Sequence, residues 1–415
     1  MGHHTNTPNY CRTGAKVWSA GGDFLPGFIA WCARLANKIN DPSPVFTNSG
    51  IDNLPLPKRV ESFPEYIIAA DWNDDWYRGT EWLISMPDAD GVWRDLSVFE
   101  LELSLVSQLT NEVRLRIAGT GTLLTIVCKL DAAGAKFVLD PPTASADLIQ
   151  PGGERVALAT AFETWPPALF TASLARIDGD LMSGAAPVSE FDKARLETVD
   201  WASARTNPHQ EKPNGKDRSI FEWLVDRLQT ARDSIVIFAD DDSGEAADFL
   251  TLAMPSKTRS VVTFYHCKAA GEGPVPGRRI DDLYEVIGQA IKSPRLFDPA
   301  SLLGHIERRS QNATKQRFIR GKLSDVQAAL ARSVAVQYRV TIVQPGVGTD
   351  MSPAQDALLA AASTYLIGSN VVSFDVIGGP IARRGRPRAR PPRTVSYRHP
   401  ITIASSNGTH TTVTP

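Results

Sequence analysis

The sequence predicts a multidomain α+β protein, a β-rich N-terminal domain followed by an α/β domain with a mixed sheet. Two patterns carry that reading. Between about Ile67 and Met182, short runs rich in β-branched and aromatic residues alternate with turn signals. After residue 217, strand-like runs alternate with stretches of helical periodicity. The 415 residues suffice for more than one core. The expected division is an N-terminal helix plus β-rich domain over 1–185, a linker over 186–217, an α/β domain over 218–379, and an Arg/Pro-rich tail over 380–415.

In chain order, Phe28, Trp31, Cys32, Leu35 and Ile39 recur at helical spacing and predict one amphipathic helix over Phe24–Ile39. The runs EWLISMP, WRDLSVFELEL, EVRLRIAG, TLLTIVCKL, AKFVLD, RVALATAF and LFTASLARI read as strands. DADG, DAAG and QPGG separate some of them, as in an antiparallel sandwich or barrel. The cluster DWNDDWYRGTEW, Asp71 to Trp82, reads as the aromatic edge of a core or as a binding surface. The polar stretch TNPHQEKPNGKD reads as a linker.

Ser219 and Glu222 then form a capping-box signature for a helix over Ile220–Ala231. Three strands follow, SIVIFAD, AADFLTLAM and RSVVTFYHCK, and the short PSKT turn makes the last two a hairpin. A helix is expected from Ile280 to Lys292, with helical segments around Leu302 and Val326. YRVTIVQPG reads as a strand, SPAQDALLAAASTYLIG as a helix and VVSFDVIGG as a last strand. Beyond Gly379, seven Arg in the eighteen residues IARRGRPRARPPRTVSYR exclude a core. That tail reads as a nucleic-acid-binding arm or as an extension outside the domain.

Composition narrows the function classes. Residues 41–102 carry thirteen acids against four bases, and residues 250–340 fifteen bases against seven acids. The later half therefore suits a polyanionic partner, or presents a solvated basic face. The cysteines Cys11, Cys32, Cys128 and Cys267 are isolated, which argues against a zinc cluster or a disulfide framework and for reduced thiols. The start of the chain lacks the apolar core of a signal peptide, and no apolar run approaches the roughly 18 residues of a membrane span. A cytoplasmic location is expected. RGKLS lacks the upstream glycine of a P-loop, and neither a GxSxG elbow nor an HExxH helix is present.

One constellation carries chemistry. Alternation along RSVVTFYHCK puts Val262, Phe264, His266 and Lys268 on one face. The preceding strand opens with Asp248, and Glu245 lies three residues before it. The hairpin brings these acids toward His266 and Lys268. Two carboxylates suit a hard cation such as Mg²⁺ or Mn²⁺ that also holds phosphate oxygens, and a nearby Lys offsets charge in the transition state. The strand-end reading, with Lys268 simply reaching solvent, explains the pair without the acids. The acids Asp240-Asp241-Asp242 also read as a DxD motif of a nucleotide-sugar transferase, a reading that leaves His266 and Lys268 unexplained.

The segment from Ile220 to Lys292 resembles the PD-(D/E)xK nuclease superfamily: helix, strand, acidic strand, a third strand ending in (D/E/Q)xK, then a helix. Asp248 matches the acidic position, Lys268 the lysine, and Glu245 the extra acid of some branches. His266 occupies the usual carboxylate or glutamine position, making an HxK variant, and Gln289 resembles a glutamine that some branches carry on the following helix. The run also looks like nuclease regions of bacterial defence-associated helicase–nuclease proteins. The resemblance implies a restriction-endonuclease-like fold and a metal-dependent nuclease acting on DNA or RNA. Glu245, Asp248 and His266 would hold Mg²⁺ or Mn²⁺, and Asp248, His266, Lys268 and Gln289 would serve catalysis. Arg278, Arg279, Lys292, Arg308, Arg309, Lys315, Arg317, Arg320 and Lys322 would contact the phosphate backbone. A helicase or other defence protein is the implied partner. The alternative is a catalytically impaired module of the same fold that binds nucleic acid or a helicase.

Overall fold

The computed structural model describes residues 57–77, 82–119, 121–184, 190–241, 244–271, 279–311 and 316–379. It adds the backbone of two paired strands, Asn9–Arg12 and Lys16–Ser19. The expected helix Phe24–Ile39 and the tail 380–415 lie outside the described residues. The described residues form one compact unit.

The β-rich region folds into antiparallel sheets, as alternating runs and tight turns require. Glu102–Gln108, Glu112–Gly119, Thr122–Asp131 and Gly134–Asp140 form a four-stranded meander. A second four-stranded sheet holds Leu83–Pro87 and Trp93–Ser97, and a five-stranded sheet holds Ile67–Asp71 and Ala168–Thr171. Trp72, Trp76 and Phe162 stack in their shared core. RVALATAF is not one strand: only Arg155–Ala157 is extended, and Leu158–Thr164 is a helix. Its buried residues Leu158, Ala161 and Phe162 fall at helical spacing, and that spacing overrides strand propensity.

The second half builds a seven-stranded mixed sheet with helices on both faces. In chain order its elements are β1 (Leu196–Thr198), α1 (Ile220–Thr230), β2 (Ser234–Ala239), β3 (Phe249–Ser256), β4 (Arg259–Cys267), α2 (Ile280–Ala290), α3 (Pro299–Ser310), β5 (Phe318–Arg320), α4 (Leu323–Arg332), β6 (Ala335–Val343), α5 (Pro353–Gly368) and β7 (Val371–Gly378). The strand order is β1-β7-β6-β4-β3-β2-β5. β2, β3 and β4 are an antiparallel meander, whereas β4, β6, β7 and β1 run parallel. Helix α1 starts on the capping box, with the Ser219 hydroxyl accepting from Glu222 N and the Glu222 carboxylate accepting from Ser219 N. Such a cap contributes about 1 kcal/mol.

Alternation sorts the two cores. Val262 and Phe264 of β4 face α2 and α5, with Leu250 of β3 and Val340 of β6. Cys267, Phe249 and Ile237 face α1, with Phe221 and Leu224. The stretch read as a linker is part of this architecture: β1 pairs with β7, and Trp201 is buried against Trp223. The β-rich region joins the core as well, since Ala69, Phe170 and Leu174 pack with Val286 and Ile287 of α2. Gly288 permits that approach, because a Cβ there would lie 2.9 Å from the Ile68 carbonyl oxygen. Among the described residues, no helix is long and apolar enough to cross a membrane.

Candidate metal centre

The β3–β4 hairpin fixes the first part of the site. Phe249 pairs with Tyr265, so the chain enters β3 beside the end of β4. There Asp248, 3% exposed, accepts a hydrogen bond from Cys267 N at 2.6 Å. The loop between β2 and β3 then folds back over it. Carboxylate oxygens of Asp241, Glu245 and Asp248 lie within 4.8 Å of one another. Two of these, Glu245 and Asp248, are the acids the sequence points to; the third comes from the DDD run.

Buried cations shape this loop. Asp240 is fully buried, and its carboxylate accepts from Ala246 N at 2.7 Å, His305 Nε2 at 2.6 Å and Arg309 Nε at 2.6 Å. Arg309 also donates to the Asp240 carbonyl, and Arg317 to the carbonyls of Ala239 and Asp241. Arg295 donates to the Glu245 carbonyl at 2.6 Å. Gly244, with φ +75°, makes the bend; a Cβ there would lie 2.4 Å from the Phe99 carbonyl oxygen. Asp240 is thus a structural anion, unavailable to ligate an incoming nucleotide sugar, and Asp242 lies outside the described residues. Of the DxD acids, Asp240 therefore has its carboxylate engaged within the fold.

The electrostatics follow from crowding. Burial pushes the Asp248 carboxyl well above the usual range, Glu245 pushes it further, and Glu211 and Asp241 add to this against the Cys267 amide. Burial likewise raises the Cys267 thiol, with the same four carboxylates adding, so Cys267 is no nucleophile. Two ammonium groups partly balance the acids. Lys212 pairs with Asp241, and its pKa is raised: burial lowers it, but Asp241, Glu245 and Asp248 outweigh burial. Lys268 pairs with Glu285 of α2 and, at 3.3 Å, with Glu211. Its pKa is raised too, since these carboxylates outweigh burial. Both lysines remain cations, suited to stabilising charge and unsuited to removing a proton.

His266 is not brought into this set. Its Nε2 lies 2.8 Å from Ser293 Oγ, it is 2% exposed, and burial then Arg295 lower its pKa to about 3. The expectation of a His266 ligand is corrected: its Nε2 is taken up by Ser293 Oγ, and the groups that converge are Asp241, Glu245 and Asp248. Gln289 lies one turn beyond Glu285 on α2, with its Oε1 buried and without a hydrogen-bond partner.

The expected basic interface is largely spent inside the fold. Lys292 donates to the Leu103 carbonyl, and burial lowers its pKa. Arg308 lies 4.2 Å over the Phe99 ring. Arg309 and Arg317 hold the acidic loop, as above. Arg320 donates to the carbonyls of Gln229, Ala231 and Ser234, closing the end of α1. Arg279 and Lys322 are exposed, while Arg278 and Lys315 lie outside the described residues. Charge counting located the cations but not their carbonyl and carboxylate partners. Arg320→Ala is therefore expected to cost about 2 kcal/mol in a urea melt. An unchanged urea midpoint would return Arg320 to the exposed basic face.

Sequence reading missed Glu211 and Lys212, which the polar run HQEKPNG made indistinguishable from a solvated linker. Their only local signal is an acid and a base just upstream of the α1 cap. No protein-family model, no curated protein and no solved structure matches this chain.

Proposed function

We propose that the protein is a metal-dependent phosphodiesterase that hydrolyses nucleic acid, DNA before RNA. The observation that carries this reading is the convergence of Asp241, Glu245 and Asp248 at the hairpin's open end, flanked by Lys212 and by Lys268 through Glu211. Three carboxylates fit a hard divalent cation, Mg²⁺ or Mn²⁺, which when bound supplies Lewis-acid polarisation of a phosphoryl oxygen and a more acidic water. Asp241, Glu245 and Asp248 would hold it. Lys212 and Lys268 keep their protons and place positive charge where a phosphoryl group gains negative charge. Gln289 offers an unpaired carbonyl oxygen that can orient a water or a hydroxyl. The helix–strand–strand–strand–helix order around the acids supports a nuclease of the PD-(D/E)xK kind.

The test uses the purified full chain on supercoiled and linear DNA with Mn²⁺ or Mg²⁺. Cleavage that disappears on chelation is expected. Absence of both cleavage and Mn²⁺ binding would sink the proposal. A second reading is a catalytically impaired module that binds nucleic acid or a helicase. It is favoured by Lys268, already paired with two carboxylates, and by the inward turn of His266. Retained DNA binding without Mn²⁺ binding selects it.

A further inference from the structure

The segment DWNDDWY is placed where the metal reading gives it no role, yet it reaches the acidic loop through one side chain. Strand Ile67–Asp71 and the 3₁₀ turn Asp74–Tyr77 are anchored by Trp72 and Trp76, whose rings stack 5.6 Å apart in the β-rich core. From this anchored segment the Tyr77 hydroxyl donates to Asp71 Oδ1 at 2.6 Å. Arg295 Nη1 donates to the Tyr77 oxygen at 3.0 Å and lies 3.4 Å from Asp71 Oδ1. The guanidinium also lies 5.3 Å over the Tyr77 ring. Its other end, Nη2, donates to the Glu245 carbonyl. Every contact is largely shielded: the Arg295 and Asp71 side chains are 13% and 12% exposed.

Arg295 belongs to the 3₁₀ turn Ser293–Leu296 that follows α2, and Ser293 of the same turn holds His266. One short turn thus ties together the β-rich region, the end of β4 and the backbone of a cluster carboxylate. A planar guanidinium with two occupied edges fixes both position and orientation, which an ammonium cannot do.

We propose that Asp71, Tyr77 and Arg295 are positioning residues for Glu245, making the β-rich region an integral part of the cation site. The inference rests on the metal-dependent reading and goes beyond it by assigning a role to the N-terminal half. Groups that act through a ligand in this way change metal affinity by roughly 10-fold.

The experiment compares the full chain with Tyr77→Phe, which keeps the buried ring and removes only the hydroxyl, and with Arg295→Lys. Mn²⁺ affinity is read by electron paramagnetic resonance, melting temperature by calorimetry, and backbone amide exchange of residues 244–248 by mass spectrometry without metal. For Tyr77→Phe we expect a several-fold weaker Mn²⁺ affinity at nearly unchanged melting temperature, with faster exchange confined to that loop. Arg295→Lys is expected to weaken it more. If the wild-type chain binds Mn²⁺ and Tyr77→Phe binds it equally well, the inference fails while the proposed function stands. If the wild-type chain binds no Mn²⁺, the proposed function fails and loop exchange alone decides: faster exchange in Tyr77→Phe supports the positioning role, and unchanged exchange overturns it.

Discussion

Asp248→Asn is expected to lower metal-dependent cleavage by on the order of 10²–10³-fold while leaving the melting temperature equal or higher. The two effects have opposite signs because the residue is held against its own preference. Its carboxyl is buried, faces Glu245, Glu211 and Asp241, and is pushed well above the usual range. An asparagine keeps the shape and can still accept from Cys267 N, so the β3–β4 junction survives. Charge alone is lost, and with it the repulsion among neighbouring acids. The linkage sign agrees. A carboxyl raised on folding contributes stability that is fully present below its unfolded pKa and is lost as pH rises through its folded pKa. Without metal, the stability gap in favour of the variant therefore widens as pH rises. Added Mn²⁺ reverses the order, since a ligand that binds only the folded wild type stabilises it. Paired melts with and without Mn²⁺ at two pH values check this. A variant that retains cleavage, or one whose melting temperature falls well below that of the wild type without metal, removes Asp248 from the centre.

The local devices of this fold were legible because they depend on neighbours in sequence. The Ser219–Glu222 box, the PSKT turn and the alternation of Val262, Phe264 and His266 each follow from spacings of two to four residues. Alternation places His266 on the α2 side but says nothing of depth on that face. Depth is set by Ser293, 27 residues away. The same limit explains Glu211 and Lys212, whose polarity has no meaning until β4 and the acidic loop meet them. It explains the arginines too. Arg309, Arg317 and Arg320 look alike in a charge count, yet their partners are backbone oxygens from 76 to 91 residues away in two cases and the Asp240 carboxylate in the third. Arg309, Arg317 and Arg320, which the charge count assigned to a polyanion partner, satisfy carbonyls that the tight β2–β3 connection and the α1 terminus leave open.

Asp240→Asn is expected to cost about 3 kcal/mol or more, the largest stability loss of any single change near the centre. Asp240 is the anion around which the acidic loop is built, accepting from Ala246 N, His305 and Arg309 with no exposure to water. An asparagine at 240 keeps one acceptor oxygen and places its NH₂ on the other edge, against either Arg309 or His305 and Ala246 N, and it leaves a buried guanidinium without its counter-charge. Burial alone would raise the Asp240 carboxyl, but His305, Arg309 and the Ala246 amide outweigh it and hold the pKa below the ordinary range. The contribution of Asp240 is therefore fully present above about pH 3.9 and is lost only as pH falls through the lower folded value. Two histidines fail earlier. Burial lowers His305 despite Asp240, and burial lowers His266 to about 3, so folding disfavours the protonated form of both. Each withdraws stability once pH drops below about 6.5, at up to about 1.4 kcal/mol per pH unit. The wild-type protein should thus weaken steadily from pH 6.5 downward, and Asp240→Asn should already be weak at pH 7.5. Urea midpoints for both proteins at pH 7.5, 6 and 5 test this directly. A difference under about 1 kcal/mol at pH 7.5 means that the loop carrying Asp241, Glu245 and Asp248 is held by the surrounding arginine–carbonyl contacts without Asp240.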